Sequence, residues 1–415
     1  MTSYTLRTLF AASVLVAVVA ATTWSAEPPN APIPNELQAA KARLEAALKM
    51  NPQNEDALYE MAATTFWTAA DLESAEPYYT RLLKLNPKHY AARYDFARLL
   101  QVRGRYAQSL EEYRQFLKVA PDPSEQLAYA KEMVAEYEPL AVPRAGGADK
   151  ATWTVKENRA TNSIGMTFIR IPGGDFVMGY AKGKAQLKPE HKVELDPYWM
   201  GEYEVTAGQF KTFLQETKYR PRSNLTANPV NDYARAEDYP AVFMTWDDAV
   251  AFTVWLSFRD GAIYRLPSEA EWELAARGFD GRTNPWGNSE AKPGAHGNLG
   301  RGARAVSMGK MPTLEKGGSY PEGKSFFGLY DMAGNADEWC LDWYDPAFYA
   351  KSPKRDPFGP VWGKDLGRRV LRGAGWRLPP LATHAVERNS FDPSAPYDSF
   401  GFRVVREIHD EARRD

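Results

Sequence analysis

The stretch Phe327-Gly328-Leu329-Tyr330-Asp331-Met332-Ala333-Gly334-Asn335-Ala336-Asp337-Glu338-Trp339 decides the fold of this chain. It stands in the half after residue 150, where helical periodicity gives way to short strand-like runs separated by Gly, Pro and Asn. Most of the aromatics, which make up 13% of the chain and include 12 Trp and 22 Tyr, fall in this half. That composition points to loops and aromatic packing.

Upstream of the stretch, Ile164 to Gly179 alternates apolar residues around Pro172-Gly173-Gly174 and reads as a hairpin. Val193 to Tyr198 reads as another strand. Thr206 to Glu216 and Thr245 to Ser257 read as amphipathic helices, the second capped by Thr245 with Asp247 and Asp248 in its first turn. Ser268 to Arg277 reads as a third. Pro267 precedes it, and Ser268 stands three residues before Glu271 in a capping-box pattern.

The first third is different. LEAALKMNP ends at Pro52, YTRLLKLNP at Pro87 and YRQFLKVAP at Pro121, so the prolines stand 35 and 34 residues apart. That period resembles the tetratricopeptide repeat (TPR), a helix-turn-helix unit whose neighbours bury each other's apolar stripes. Ala57-Leu58-Tyr59, Ala91-Ala92 with Tyr94, and Gly104 with Tyr106-Ala107 match its helix starts and turn. Helical repeats are expected over 36–140, closed by a helix from Ser124 to Tyr137, and a linker over 141–154 marked by Pro143, Gly146 and Gly147.

Met1 to Thr8 carries one positive charge, and Leu9 to Ala21 is almost wholly apolar. This is short for a membrane span and fits a signal peptide over 1–26. A periplasmic or secreted location follows as an expectation, with no stable membrane span after cleavage and an uncleaved anchor as the alternative. Lys+Arg total 51 and Asp+Glu 53, giving a net charge of −2 and no electrostatic case for nucleic acid. The single cysteine, Cys340, excludes an internal disulfide, a multi-cysteine zinc site and any mechanism needing two thiols in one chain.

The words GMTFIRIPGGDFVMG, Glu204-Val205-Thr206, YRLPSEAEWELAARG, NPWGN, FGLYDMAGNADEW, RVLRGAGW and FGFRVVR follow one another in order over 155–408. The ordered set resembles the formylglycine-generating enzyme (sulfatase-modifying factor) family. The resemblance implies an α+β C-type-lectin-like fold with little regular structure, and hence a multidomain chain: all-α repeats, this domain, and a tail over 409–415. It also implies calcium ions that pin the loops. Active members oxidise a cysteine of a sulfatase to formylglycine with two cysteines that bind Cu(I) after a Gly-Gly-Ser-aromatic segment. Here that segment runs Gly373-Ala374-Gly375-Trp376, with Leu378 and Thr383 in the cysteine positions. Gly375 replaces the serine, and Asp337 replaces the first tryptophan of the family's Trp-Glu-Trp run. Soft Cu(I) wants thiolates, so no copper and no formylglycine generation are expected.

None of the five histidines lies three or four residues from another, so there is no helical pair of metal ligands. His384, Glu387 and Arg388 follow the old cysteine positions and are weak candidates for a reused site, since His and Glu can trade a proton. Otherwise they are polar loop residues. For calcium, the resemblance carries over Asp331, Gly334, Ala336 and Glu338, hard oxygen donors from carboxylates and carbonyls. Asn298 and Leu299 match half of a second ion site, whose aspartate has no clear match in Met308–Lys316. Two functions remain open. One is a binding or maturation factor that meets protein partners through the TPR module and the lectin-like loops. The other is a cysteine-independent oxidoreductase or tailoring enzyme, such as relatives that tailor pyoverdine.

Overall fold

The computed structural model describes residues 34–68, 71–121, 124–142, 153–222, 237–300, 314–361, 367–379 and 384–408. The expected signal peptide and tail lie outside these, as do Thr383 and most of the expected linker. Among the described residues the chain forms two compact units. The first is built mainly from 34–103 and 108–134, and the second mainly from 135–359 and 367–408.

The first unit is helical: α1 (Pro34–Met50), α2 (Glu55–Ala63), α3 (Leu72–Leu85), α4 (Tyr90–Val102), α5 (Tyr106–Leu117) and α6 (Glu125–Tyr137). Each repeat proline falls just beyond a helix end, after Met50, Leu85 and Leu117, where a missing N–H breaks no ladder. Side-chain caps start the next helices. Asn54 Oδ1 accepts from Ala57 N at 3.1 Å, and Asp71 Oδ1 accepts from Ser74 N at 3.0 Å. Leu58, Phe66, Tyr79, Leu82, Ala97 and Leu99 are fully or nearly fully buried where successive helices meet. Polar ties fix the register. Tyr59 and Tyr79 donate to Asp95 at 3.0 and 3.4 Å, and Tyr113 donates to Gln101 at 2.6 Å. The helix pairs form where the proline period places them.

Among its described residues the second unit has twelve short strands: β1 (Thr154–Lys156), β2 (Arg159–Thr161), β3 (Thr167–Ile171), β4 (Gly174–Met178), β5 (His191–Leu195), β6 (Tyr198–Gly201), β7 (Tyr264–Arg265), β8 (Asp337–Trp343), β9 (Arg369–Arg372), β10 (Asn389–Phe391), β11 (Phe400–Gly401) and β12 (Val405–Glu407). They make a six-stranded sheet ordered β1-β2-β3-β6-β12-β7, a four-stranded sheet ordered β10-β9-β8-β11, and the β4-β5 ribbon. Helices α7 (Ala207–Thr217), α8 (Trp246–Asp260) and α9 (Glu269–Arg277) each begin at a capping box, on Thr206, Thr245 and Ser268. The core joins Ile171, Phe176, Val193, Tyr198, Met200, Trp272, Leu274 and Cys340.

Two strand expectations are corrected. Ile164–Gly179 is no hairpin: β3 pairs with β2 and β6, while β4 pairs with β5. The chain changes sheets at Gly173, where φ is +71° and an added Cβ would stand 2.4 Å from the Leu195 carbonyl oxygen. The Pro-Gly-Gly signal marks a corner that needs glycine for close approach rather than for a tight reversal. Val193–Tyr198 is likewise two strands. It breaks at Asp196-Pro197, where Asp196 N donates out of the sheet to Asp356 Oδ1 at 2.9 Å.

Candidate functional site

Strand β8 carries the end of the deciding stretch into the middle of its sheet, antiparallel to β9 and parallel to β11. Glu338 is fully buried there. Arg403 donates to both its oxygens, Nε to Oε2 and Nη2 to Oε1, at 2.5 Å each, and Trp272 Nε1 adds a third bond at 2.7 Å. The same guanidinium donates to the carbonyls of Gly201 at 2.9 Å and Tyr330 at 3.0 Å. One bidentate pair thus ties β8 to β6 and to the loop before Asp331. The neighbouring tryptophans are anchored too: Trp339 Nε1 donates to Met244 O and Trp246 Nε1 to Cys340 O.

The residues expected to hold calcium lie on the loop that enters β8. Asp331 is buried at φ +57°, and its Oδ2 accepts from Gly318 N at 2.8 Å. Gly334 sits at φ +89°, and a Cβ there would meet Leu299 Cδ2 at 2.4 Å, so Leu299 serves by packing over the turn. Asn335 is the hub. It donates to Glu204 Oε1 and to Glu315 O, both at 3.1 Å, and accepts from Glu315 N at 3.0 Å and from Asn298 Nδ2 at 3.3 Å. Asn298 and Leu299 are therefore joined to the same loop. Glu204, Asp331 and Glu338 share one guanidinium, that of Arg403, and Glu204 Oε2 has no hydrogen-bond partner. Burial lifts the Asp331 carboxyl to about 6, and burial with its two acidic neighbours pushes Glu204 well above the usual range. Among the described residues no three Asp, Glu, His or Cys side chains close on one point. The set implied for calcium needs two, Asp331 and Glu338, with the carbonyls of Gly334 and Ala336. The oxygens are hard and the local charge is negative, but Glu338 already gives both of its oxygens to Arg403, so of the two carboxylates only Asp331 is open to such a cation.

The segment matched to the copper loop holds the least expected arrangement. Asp337 is buried, and its Oδ2 accepts from Ser399 Oγ at 2.8 Å. The Gly375 N–H also bonds to this carboxyl, which burial raises to about 6. A Cβ on Gly375 would stand 2.6 Å from Asp337 Oδ2 and 2.8 Å from Ser399 Cβ. The positions where the resemblance puts a tryptophan and a serine, held here by Asp337 and Gly375, are thus in contact. Leu378 N closes a turn on Gly375 O at 3.0 Å, and Gly300 N donates to Leu378 O at 2.9 Å. Cys340 is fully buried in the core, and burial pushes its thiol well above the ordinary range.

Glu387 N donates to His384 O at 2.9 Å, but the side chains of Glu387 and Arg388 go separate ways. Glu387 pairs with exposed Lys184 at 2.9 Å. Arg388 is buried. It donates to both oxygens of Glu269 at 2.7 and 2.8 Å and lies 4.1 Å from the Tyr349 ring. Glu269 also receives Arg372 at 2.9 Å, and Arg372 reaches Glu273 at 2.7 Å. The arginine is spent on the interior. Sequence reasoning missed Glu269, whose only signal was its place in the YRLPSEAEW word.

The sheets and this buried charge network define a mixed-sheet domain of formylglycine-generating-enzyme-like fold, preceded by helical repeats. The model of the sulfatase-modifying factor enzyme 1-like domain matches residues 154–408, and that of the tetratricopeptide repeat matches 66–133. The chain belongs to the sulfatase-modifying factor enzyme 1-like family and carries TPR repeats. It is 31% identical over 301 residues to the formylglycine-generating enzyme of Streptomyces coelicolor, a match spanning 58% of this chain and 88% of that protein. It is 32% identical over 259 residues to the serine/threonine-protein kinase Pkn1 of Chlamydia trachomatis, spanning 58% of this chain and only 38% of the kinase. The solved structure of PvdO from Pseudomonas aeruginosa is similar at 28% identity and a TM-score of 0.53, covering 61% of this chain and all of PvdO.

Proposed function

We propose that this chain is a periplasmic or secreted member of the family without copper–thiol chemistry, a binding or maturation factor for another exported protein. One observation carries the reading. The sole thiol, Cys340, is sealed in the core, and Leu378 occupies the turn where the resemblance puts the first copper ligand. A thiolate that cannot form or reach solvent is neither nucleophile nor soft ligand. TPR repeats are interaction modules, and the domain's loops add a second surface. Calcium would be held by Asp331 and the carbonyls of Gly334 and Ala336, with Glu338 kept by Arg403, and would supply rigidity rather than chemistry.

The alternative, a cysteine-independent oxidoreductase at His384, Glu387 and Arg388, loses its arginine to Glu269. The test is direct. The full chain is incubated with copper, oxygen and a sulfatase peptide carrying the target cysteine, and the peptide is weighed by mass spectrometry. The thiol is expected to stay intact; aldehyde formation would overturn the reading.

A further inference from the structure

Side-chain caps start the helices of the repeat unit, and one cap differs in its chemistry. Asn54 caps α2, and Ser124 Oγ accepts from Leu127 N at the start of α6. Those oxygens do not titrate. Helix α4 is capped by a base. His89 stands at its N-cap with φ −71° and ψ 89°, and its Nδ1 accepts from Ala92 N at 3.2 Å. An imidazole nitrogen accepts a hydrogen bond only while it carries no proton. The cap therefore requires the neutral ring with its hydrogen on Nε2. The residue is half-buried, so solvent protons reach it.

The same ring joins two helices. It lies 5.0 Å from the ring of Tyr59 on α2, and Tyr59 donates to Asp95 on α4 at 3.0 Å. One tyrosine thus ties α2 both to the cap and to the interior of α4. Around His89, α2 presents Glu55, Asp56 and Tyr59, with Glu55 receiving Asn86 Nδ2 at 2.8 Å. Lys88 and Tyr90 flank it in the chain. Arg93 is spent on Pro87 O at 2.7 Å and on Glu112 at 2.5 Å. Burial holds the ring below its ordinary value of 6.5, although its own backbone, Glu55 and Asp56 favour the cation.

We propose that His89 is an acid-operated latch on the repeat unit: a proton on Nδ1 releases the first turn of α4 and, with it, the contact on Tyr59. The protonated nitrogen would set one N–H against that of Ala92 and place a cation at the positive end of the helix. The folded state favours the neutral ring. The latch therefore contributes fully above about 6.5 and is lost as pH falls through the ring's lower folded value. Asp95 acts in the opposite direction, since burial raises its carboxyl to about 6 and acid keeps it protonated.

The test compares the unaltered full chain with His89→Asn, because asparagine caps a helix equally well and does not titrate. Hydrogen exchange over 89–95 is followed from about pH 7.5 to about pH 5 and corrected for the intrinsic rate. The two proteins should be equally protected at the upper end. At the lower end the unaltered chain should exchange about fivefold faster, the worth of one cap. Comparison at equal pH cancels the contribution of Asp95. Equal exchange at the lower end, or a difference that is the same at both ends, would overturn the proposal. Nitrogen-15 NMR of the histidine-labelled unaltered chain tests it without a variant, the ring being assigned through its contact with Tyr59. The Nε2–H tautomer, titrating below about 6.5, is expected. The Nδ1–H tautomer, or a ring that titrates at or above that value, would overturn the latch even if His89→Asn does not fold.

Discussion

The carboxylate of Asp337 fills the space that a side chain on Gly375 would need. An added Cβ at 375 falls 2.6 Å from Asp337 Oδ2, well inside contact distance. The two departures from the family's pattern, read separately in the sequence, are the two faces of one contact.

Gly375→Ser should therefore destabilise the domain by about 1–3 kcal/mol, the usual range for overpacking. In an Asp337→Ala background the same change should cost less, with a coupling of about 1 kcal/mol or more. Urea unfolding of the four proteins measures the cycle; additive effects would deny the contact.

Arg403→Met leaves Glu338 buried and unpaired. The expected loss is about 3–5 kcal/mol, because the stranded carboxylate keeps its desolvation cost without its partner. Guanidinium denaturation checks this. A double change of Glu338 and Arg403 to apolar residues of similar size should recover part of the loss.

The repeat unit should respond to pH through Asp95. Burial lifts this carboxyl from 3.8 to about 6, although Tyr59 and Tyr79 donate to it. The folded form thus keeps a proton that the unfolded form releases. Stability is highest below the unfolded value and falls as pH rises from about 4 to about 6, by up to roughly 3 kcal/mol, then levels off. Hydrogen exchange of α2–α4 in the full chain, across that range, should show the fall in the unaltered protein and not in Asp95→Asn.

Added calcium should raise the melting temperature and a chelator should lower it, because a ligand held only by the folded state stabilises it. Asp331→Ala should abolish both shifts. A melting curve that ignores calcium and chelator alike would remove the ion from the account.

The sequence was most legible where local chemistry decides the outcome. The proline period placed the helix pairs, and Thr245 and Ser268 marked helix starts that the capping boxes reproduce. It misled where a partner far along the chain decides. Pro172-Gly173-Gly174 is a turn by composition, but Leu195 determines that the chain changes sheets there. The candidate site was legible only as positions. Nothing local to Arg388 announced Glu269, and nothing in Asp337 announced Gly375, because these contacts span 119 and 38 residues.

Strand β12 lies between β6 and β7, β11 borders β8, and Arg403 between them clasps Glu338. Residues 400–407 thus supply the fifth of six strands in one sheet and an edge of another. During synthesis, β7 cannot join its sheet until β12 emerges. A ribosome stalled short of Phe400 would hold a domain whose strand β7 still lacks its partner.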